Sequence, residues 1–185
     1  MNKLLLSAAL VAGFGVAALA PRTAAAVDGT VTINGKVLAQ TCTVEGKTYQ
    51  ANGSLSTAAN KTVPLPNVLA PALNAAGSTA GRTGFTIAVA GCDAGLSSVT
   101  TTFSGTGIDT TTGALTNTAA TNGVQVQLLD SSQNPITLTS SYNMPAVALV
   151  SGGATLQYYA QYYAKNGNAT AGTVTSSVAF TLSYQ

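Results

Sequence analysis

The stretch Asp28-Gly-Thr-Val-Thr-Ile-Asn-Gly-Lys-Val-Leu-Ala-Gln-Thr-Cys42 decides how the rest of this chain is read. Its odd positions Val31, Ile33, Gly35, Val37 and Ala39 are small or apolar, and its even positions from Thr30 to Gln40 are polar except Leu38. A period of two over this length is that of one extended strand. Asn34-Gly35 is also a two-residue hairpin signal, but a turn there would pair Ile33 with Lys36 on one face and throw Val37 to the other. Parity therefore favours a strand that runs straight through the glycine. A strand at the start of a mature chain is free to pair outside its own domain, as an edge strand in another molecule.

Upstream of it the chain has the layout of an export leader. Met1-Asn-Lys3 precedes an apolar run from Leu4 to Ala20, and Ala24-Ala25-Ala26 supplies the small residues of a cleavage site. Gly13, Gly15 and many alanines make that run a poor permanent anchor, so cleavage after Ala26 is expected, with no membrane segment in the mature form. Removing the first 26 of 185 residues leaves 159, enough for one domain with a sizeable core. It also takes Lys3 and Arg22 from the seven basic residues, and the remaining five balance Asp28, Glu45, Asp93, Asp109 and Asp130. A formally neutral mature chain gives no electrostatic reason to expect nucleic acid or an anionic membrane as a partner. With 6% charged residues it also lacks the repulsion that keeps soluble monomers apart.

Cys42 and Cys92 both lie in the exported part, where a disulfide is the default state. A metal site is the weaker alternative, since the chain has no histidine and few carboxylates to complete a ligand set. The same lack of histidine removes the ordinary Ser-His nucleophile and the imidazole acid or base, and the five scattered acids favour no particular pair. No enzyme activity and no cofactor is expected.

Downstream, short β segments alternate with Gly/Asn/Ser turns. Gly84 to Cys92 points Phe85, Ile87 and Val89 one way, and Gly123-Val-Gln-Val-Gln-Leu-Leu-Asp130 is the cleanest alternating strand. Ser98 to Ser104 and Ile136 to Thr139 are further segments, whereas Met144 to Val150 is apolar without clear alternation. Leu156, Tyr158, Ala160, Tyr162 and Ala164 form one face of a strand whose other face carries Gln157, Tyr159, Gln161 and Tyr163. Tyr159 and Tyr163 are the only members of this tyrosine run placed to stack on a sugar; a core role for the others is the simpler reading. Gly172 opens a last strand in which Val174, Val178, Phe180, Leu182 and Tyr184 share one parity. Between Gly46 and Gly84 the prolines of Thr62-Val-Pro-Leu-Pro-Asn-Val68 restrict that segment to an edge, and Ala70 to Ala76 suggests a short helical turn. Three Asn-X-Ser/Thr sequences, at Asn52, Asn60 and Asn168, read as loop markers. The pattern is that of an all-β antiparallel sandwich.

Three separated features resemble the chaperone/usher pilins of Gram-negative bacteria, and most closely the major subunit of type 1 fimbriae. Gly29-Thr-Val-Thr-Ile-Asn-Gly-Lys-Val37 leading to Cys42 is similar to the N-terminal extension of that family. Phe85-Thr-Ile87 shortly before Cys92 matches the setting of its cysteine pair. Gly172 followed by alternating apolar residues and a penultimate Tyr184 resembles its chaperone-recognition signature. The resemblance covers essentially the whole mature chain, the Ala/Asn/Ser-rich stretch between Gly46 and Gly84 being its main departure.

The resemblance implies an incomplete immunoglobulin-like sandwich that lacks its last strand, the pilin fold, with residues 1–26 a leader, 27–41 a donor-strand extension and 42–185 the pilin domain. It implies a structural subunit of a fimbria on the cell surface, supporting adhesion, exported through the periplasm and polymerised by donor-strand exchange. Its partners would be a periplasmic chaperone, an outer-membrane usher and other copies of the subunit. Val31, Ile33, Gly35 and Val37 would form the donor strand; Gly172, Val178, Phe180, Leu182 and Tyr184 would line the groove and carry chaperone recognition. A minor or tip-proximal subunit or adhesin is the alternative, and a secreted carbohydrate-binding sandwich a more distant one.

Overall fold

Residues 42–47, 59–139 and 144–185 are described by a computed structural model of the protein. The donor-strand positions Val31, Ile33, Gly35 and Val37, and with them the choice between strand and hairpin at Asn34-Gly35, lie outside these residues.

The strands follow the alternation closely where both faces are decided by packing. Ala154–Ala164 (β7) buries Leu156, Tyr158, Ala160 and Ala164 on one face, and it is the hub of the larger sheet. On one side it pairs with Thr79–Ala90 (β2), which pairs in turn with Thr43–Val44 (β1). On its other side lies Val124–Leu129 (β5), followed by the short Leu115–Thr116 (β4). The second sheet is smaller: Ser98–Ser104 (β3) lies between Val147–Ala148 (β6) and Ala179–Tyr184 (β8). Every ladder is antiparallel. Ile87, Val89, Val126, Leu128, Leu156 and Tyr158 from the first sheet and Val99 and Phe103 from the second share one buried core. The Tyr158 ring holds the two together, 5.7 Å from Phe85 on its own sheet and edge-on to Phe103 at 5.1 Å.

Four expected segments take a different form. The strand expected from Gly84 starts five residues earlier, at Thr79, because a bulge between Ala80 and Thr83 lets β2 continue along β7. Gly81 occupies that bulge at φ +65, and a Cβ there would stand 2.9 Å from the Tyr162 ring. Ile136 to Thr139 is no strand; Ile136 is buried, and its N–H donates to the Leu128 carbonyl just past a single bridge at Pro135. Met144 to Val150 supplies the two-residue β6.

Gly172 does not open the last strand, which begins only at Ala179. The preceding segment is drawn away by β4 and its neighbours. Asn117 Nδ2 donates to the Thr173 carbonyl at 2.9 Å, Thr118 N–H to the Thr175 carbonyl at 2.8 Å, and Ser176 Oγ to the Thr116 carbonyl at 2.7 Å. Residues 62–68 stay outside the sheets, as the prolines require, with Val63 and Leu65 half-buried against the core. Ala70–Leu73 forms a single 3₁₀ turn anchored by the buried Leu73.

Cys42 and Cys92 are bonded, closing a loop of 50 residues that ties the start of β1 to the end of β2. Cys42 is wholly buried. Cys42→Ser is expected to lower stability by about 4 kcal/mol, chiefly by releasing the unfolded chain. Urea unfolding of purified wild type and variant, compared with wild type under reductant, measures it; equal midpoints would refute it.

Candidate functional site

The last strand alternates in burial: Phe180, Leu182 and Tyr184 are half-buried, while Ala179, Thr181 and Ser183 are exposed. Its register with β3 sets Phe180 opposite Phe103, Leu182 opposite Thr101 and Tyr184 opposite Val99. The β3 residues of these pairs are buried, whereas those of β8 are only partly covered although they pack on the same core. Among the described residues β8 has a strand partner on one side alone. Val178, Val63 and Leu65 are half-buried against the same core. Among the described residues the sandwich therefore presents, along β8, an apolar row that is only partly covered.

Edge strands are normally blunted by charge, proline or a bulge. Residues 172–185 contain no charged residue and no proline, and β8 runs without a register shift. This edge is thus chemically suited to receive an added strand, whose main chain would satisfy the open N–H and C=O groups and whose alternate side chains would cover Phe180, Leu182 and Tyr184. The structure brings Val178, Phe180, Leu182 and Tyr184 together and sets Gly172 apart. Gly172 is exposed and lies against the Asn122 side chain, whose Nδ2 would be 3.3 Å from a Cβ added there.

Polar chemistry is concentrated elsewhere. The Asp109 carboxylate accepts from Lys165 Nζ at 2.6 Å, Gln125 Nε2 at 2.8 Å and the Thr111 and Thr112 N–H groups at 2.9 and 3.2 Å. Lys165 above all, helped by these hydrogen bonds and opposed by burial, holds its carboxyl well below the usual carboxylate range. Such an arrangement fixes a carboxylate in its charged state and suits a structural tie, here of the loop before β4 to β5 and the end of β7. It is poor for proton transfer near neutrality.

Because the Asp109 pKa is depressed on folding, its stabilisation is complete above the unfolded value near 4 and is lost as pH falls through the lower folded value. Asp109→Asn is expected to cost about 1–2 kcal/mol at pH 7, discounted for the partial exposure of Lys165. The gap to wild type should narrow below about pH 4 in urea titrations; a gap independent of pH would contradict the role.

Sequence reasoning missed the buried polar residues Thr101, Asn122, Gln125 and Gln161, since a glutamine on an alternating strand reads as solvent-facing. Gln125 is covered by the Asp109 loop, and Gln161 donates to Gln127 at 2.9 Å. Tyr159 and Tyr163 are half-buried on that same face. Among the described residues no cluster of three or more His, Cys, Asp and Glu could hold a metal.

The family model described as Fimbrial protein matches residues 27–185. The F17 fimbrial protein of Escherichia coli is 40% identical over 171 residues, covering 86% of this chain and 89% of that protein. The major fimbrial subunit SMF-1 of Stenotrophomonas maltophilia is 40% identical over 181 residues, covering 90% and 98%. Among solved structures, an antigen and type I fimbria protein of Burkholderia pseudomallei is 30% identical with a TM-score of 0.54, covering 70% of this chain and 86% of that one. The P pilus rod subunit PapA shares the fold, with a TM-score of 0.58 at 18% identity, covering 78% and 99%.

Proposed function

Since the chain belongs to the fimbrial protein family and is a structural fimbrial subunit, we propose that it polymerises by donor-strand exchange on a chaperone/usher pathway. The observation that carries this reading is the half-covered apolar row of β8, on an edge with no charge or proline to repel an incoming strand. Residues 27–41 are the donor, and 42–185 the domain that receives a neighbour's. Val31, Ile33 and Val37 each contribute roughly 1.5–3 kcal/mol on burial beside β8. Gly35 lies where the surface leaves no room for a side chain. A periplasmic chaperone covers Val178, Phe180, Leu182 and Tyr184 until an outer-membrane usher exchanges it for the extension of another copy. Donor and acceptor surfaces differ, so the contact is heterologous and builds an open filament. Residues 1–26 are the export leader; a family match that starts at residue 27 supports cleavage after Ala26.

The test is expression with a chaperone and usher of this pathway, followed by electron microscopy of the cell surface and gel analysis of unheated samples. Surface fibres containing the protein, and an SDS-resistant ladder, are expected. Secretion as a monomer that needs no chaperone would overturn the reading.

A further inference from the structure

Two large apolar side chains stand almost fully exposed among the described residues, Leu69 at 81% and Val150 at 74%. Each is held by a fixed turn. Leu69 caps the 3₁₀ turn Ala70–Leu73, accepting from the Ala72 N–H at 2.9 Å. Val150 closes a turn with Gly153 through reciprocal backbone bonds of 2.8 and 3.0 Å. The turns lie at opposite ends of β7. Val68 packs beside Gly81, and the Gly77 N–H donates to the Ala164 carbonyl, so Leu69 belongs to the end where β2 begins and β7 stops. Val150 leads directly into β7, and the Cys92 N–H donates to the Gly152 carbonyl, so it shares its end with the Cys42–Cys92 disulfide. Eleven strand residues separate these poles by about 35 Å.

The direction of β8 relates the poles of successive subunits. Val174, shortly before β8, packs on the Leu73 cluster, so β8 arrives from the Leu69 pole. Its last residues pair beside β6 near Val150, with Tyr184 opposite Val99 and the Leu149 N–H donating to the Ser97 carbonyl. A strand added antiparallel to β8, like every other ladder of this fold, ends at the Leu69 pole of the acceptor. The donor's own domain starts at Cys42, at its Val150 pole, and the five steps from Val37 to Cys42 span at most about 18 Å.

We infer that in the fibre Leu69 of one subunit packs against the Val150 turn of the subunit that donates its strand, a second head-to-tail contact outside the groove. The inference rests on the donor-strand reading and adds the partner surface of each pole. Leu69 sits in a charge-free stretch from Thr62 to Gly81, stiffened by Pro64, Pro66 and Pro71, so no charge has to be desolvated on that side. One apolar tip at each pole, repeated in every subunit, makes a contact that recurs along the filament.

A photoreactive benzoylphenylalanine at Leu69 tests it, since an exposed position tolerates the change. The subunit is expressed with chaperone and usher, and adducts are mapped by mass spectrometry in SDS-resistant polymer and in chaperone-bound monomer. Crosslinks to residues 149–153 of a neighbour, in polymer alone, are expected. Leu69→Asp should leave polymer able to form but make it dissociate about tenfold faster in denaturant. Polymer whose adducts fall elsewhere, or which dissociates like wild type when Leu69 is Asp, overturns the contact and leaves strand donation standing. Failure of wild type to form any SDS-resistant polymer overturns strand donation, and this contact with it.

Discussion

Ile33→Asp is expected to leave the chaperone-bound subunit intact and to cut SDS-resistant polymer by about a hundredfold or more. On the donor-strand reading the substitution sets a carboxylate on the face that meets the apolar row of the next subunit, where burial without a partner costs several kcal/mol unless the strand withdraws. Phe180, Leu182 and Tyr184 offer no cation in exchange, and residues 172–185 carry none. On the same reading Ile33 serves the neighbour's groove and not the variant's own sandwich, so folding and capture by chaperone should be unchanged. Gly35→Leu should act alike through bulk, and Thr32→Ser, on the opposite face, should assemble normally. Each variant is expressed with chaperone and usher, and the chaperone-bound monomer and the polymer are measured side by side. Wild-type polymerisation by Ile33→Asp would remove the donor assignment; loss of the chaperone complex would place the stretch in the subunit's own core.

Deleting Leu182 to Gln185 should have the opposite signature, loss of the chaperone complex and degradation of the subunit. The deletion removes the pairs Leu182 with Thr101, Ser183 with Thr100 and Tyr184 with Val99, together with the bonds of Gln185 to Ser97 and Ser98. Val99 and Thr101 are almost completely buried, and their cover would go with it. Losing two apolar side chains at roughly 1.5–3 kcal/mol each, with the adjoining hydrogen bonds, consumes much of a stability of about 5–15 kcal/mol. Thr181→Ser, on the exposed face of the same strand, should stay within about 0.5 kcal/mol of wild type. Pulse-chase with immunoblotting, and co-purification with the chaperone, read both effects. Stable accumulation of the truncated subunit in complex with chaperone would show that recognition lies elsewhere.

The two experiments address different links of one chain of causes. The proposed donor strand is read from parity alone, since a strand that lands on an apolar row needs one apolar face, and its residues lie outside the described ones. For β7 and β5 the core faces are fixed by alternation, and Leu156, Tyr158, Ala160, Val126 and Leu128 are buried as expected. Where alternation was judged by hydropathy alone it misled at Gln125 and Gln161. Their amides are buried on the face opposite the core because Asp109 and Gln127 supply partners from residues distant in sequence.

What the sequence by itself determined is the class of fold, the absence of histidine chemistry and the identity of the apolar faces of β5 and β7, since all of these depend on residue type and on periods of two. Only the tertiary structure decided where the strands begin and end and, among the described residues, which edge lacks a second partner. β8 starts at Ala179, not at Gly172, because Asn117, Thr118 and Thr116 capture residues 173–176 through hydrogen bonds across more than fifty positions. The place of Leu69 and Val150 at opposite poles is likewise a product of strand direction. No local pattern encodes it, since the energy that fixes strand order comes from contacts made only when the two sheets close on each other.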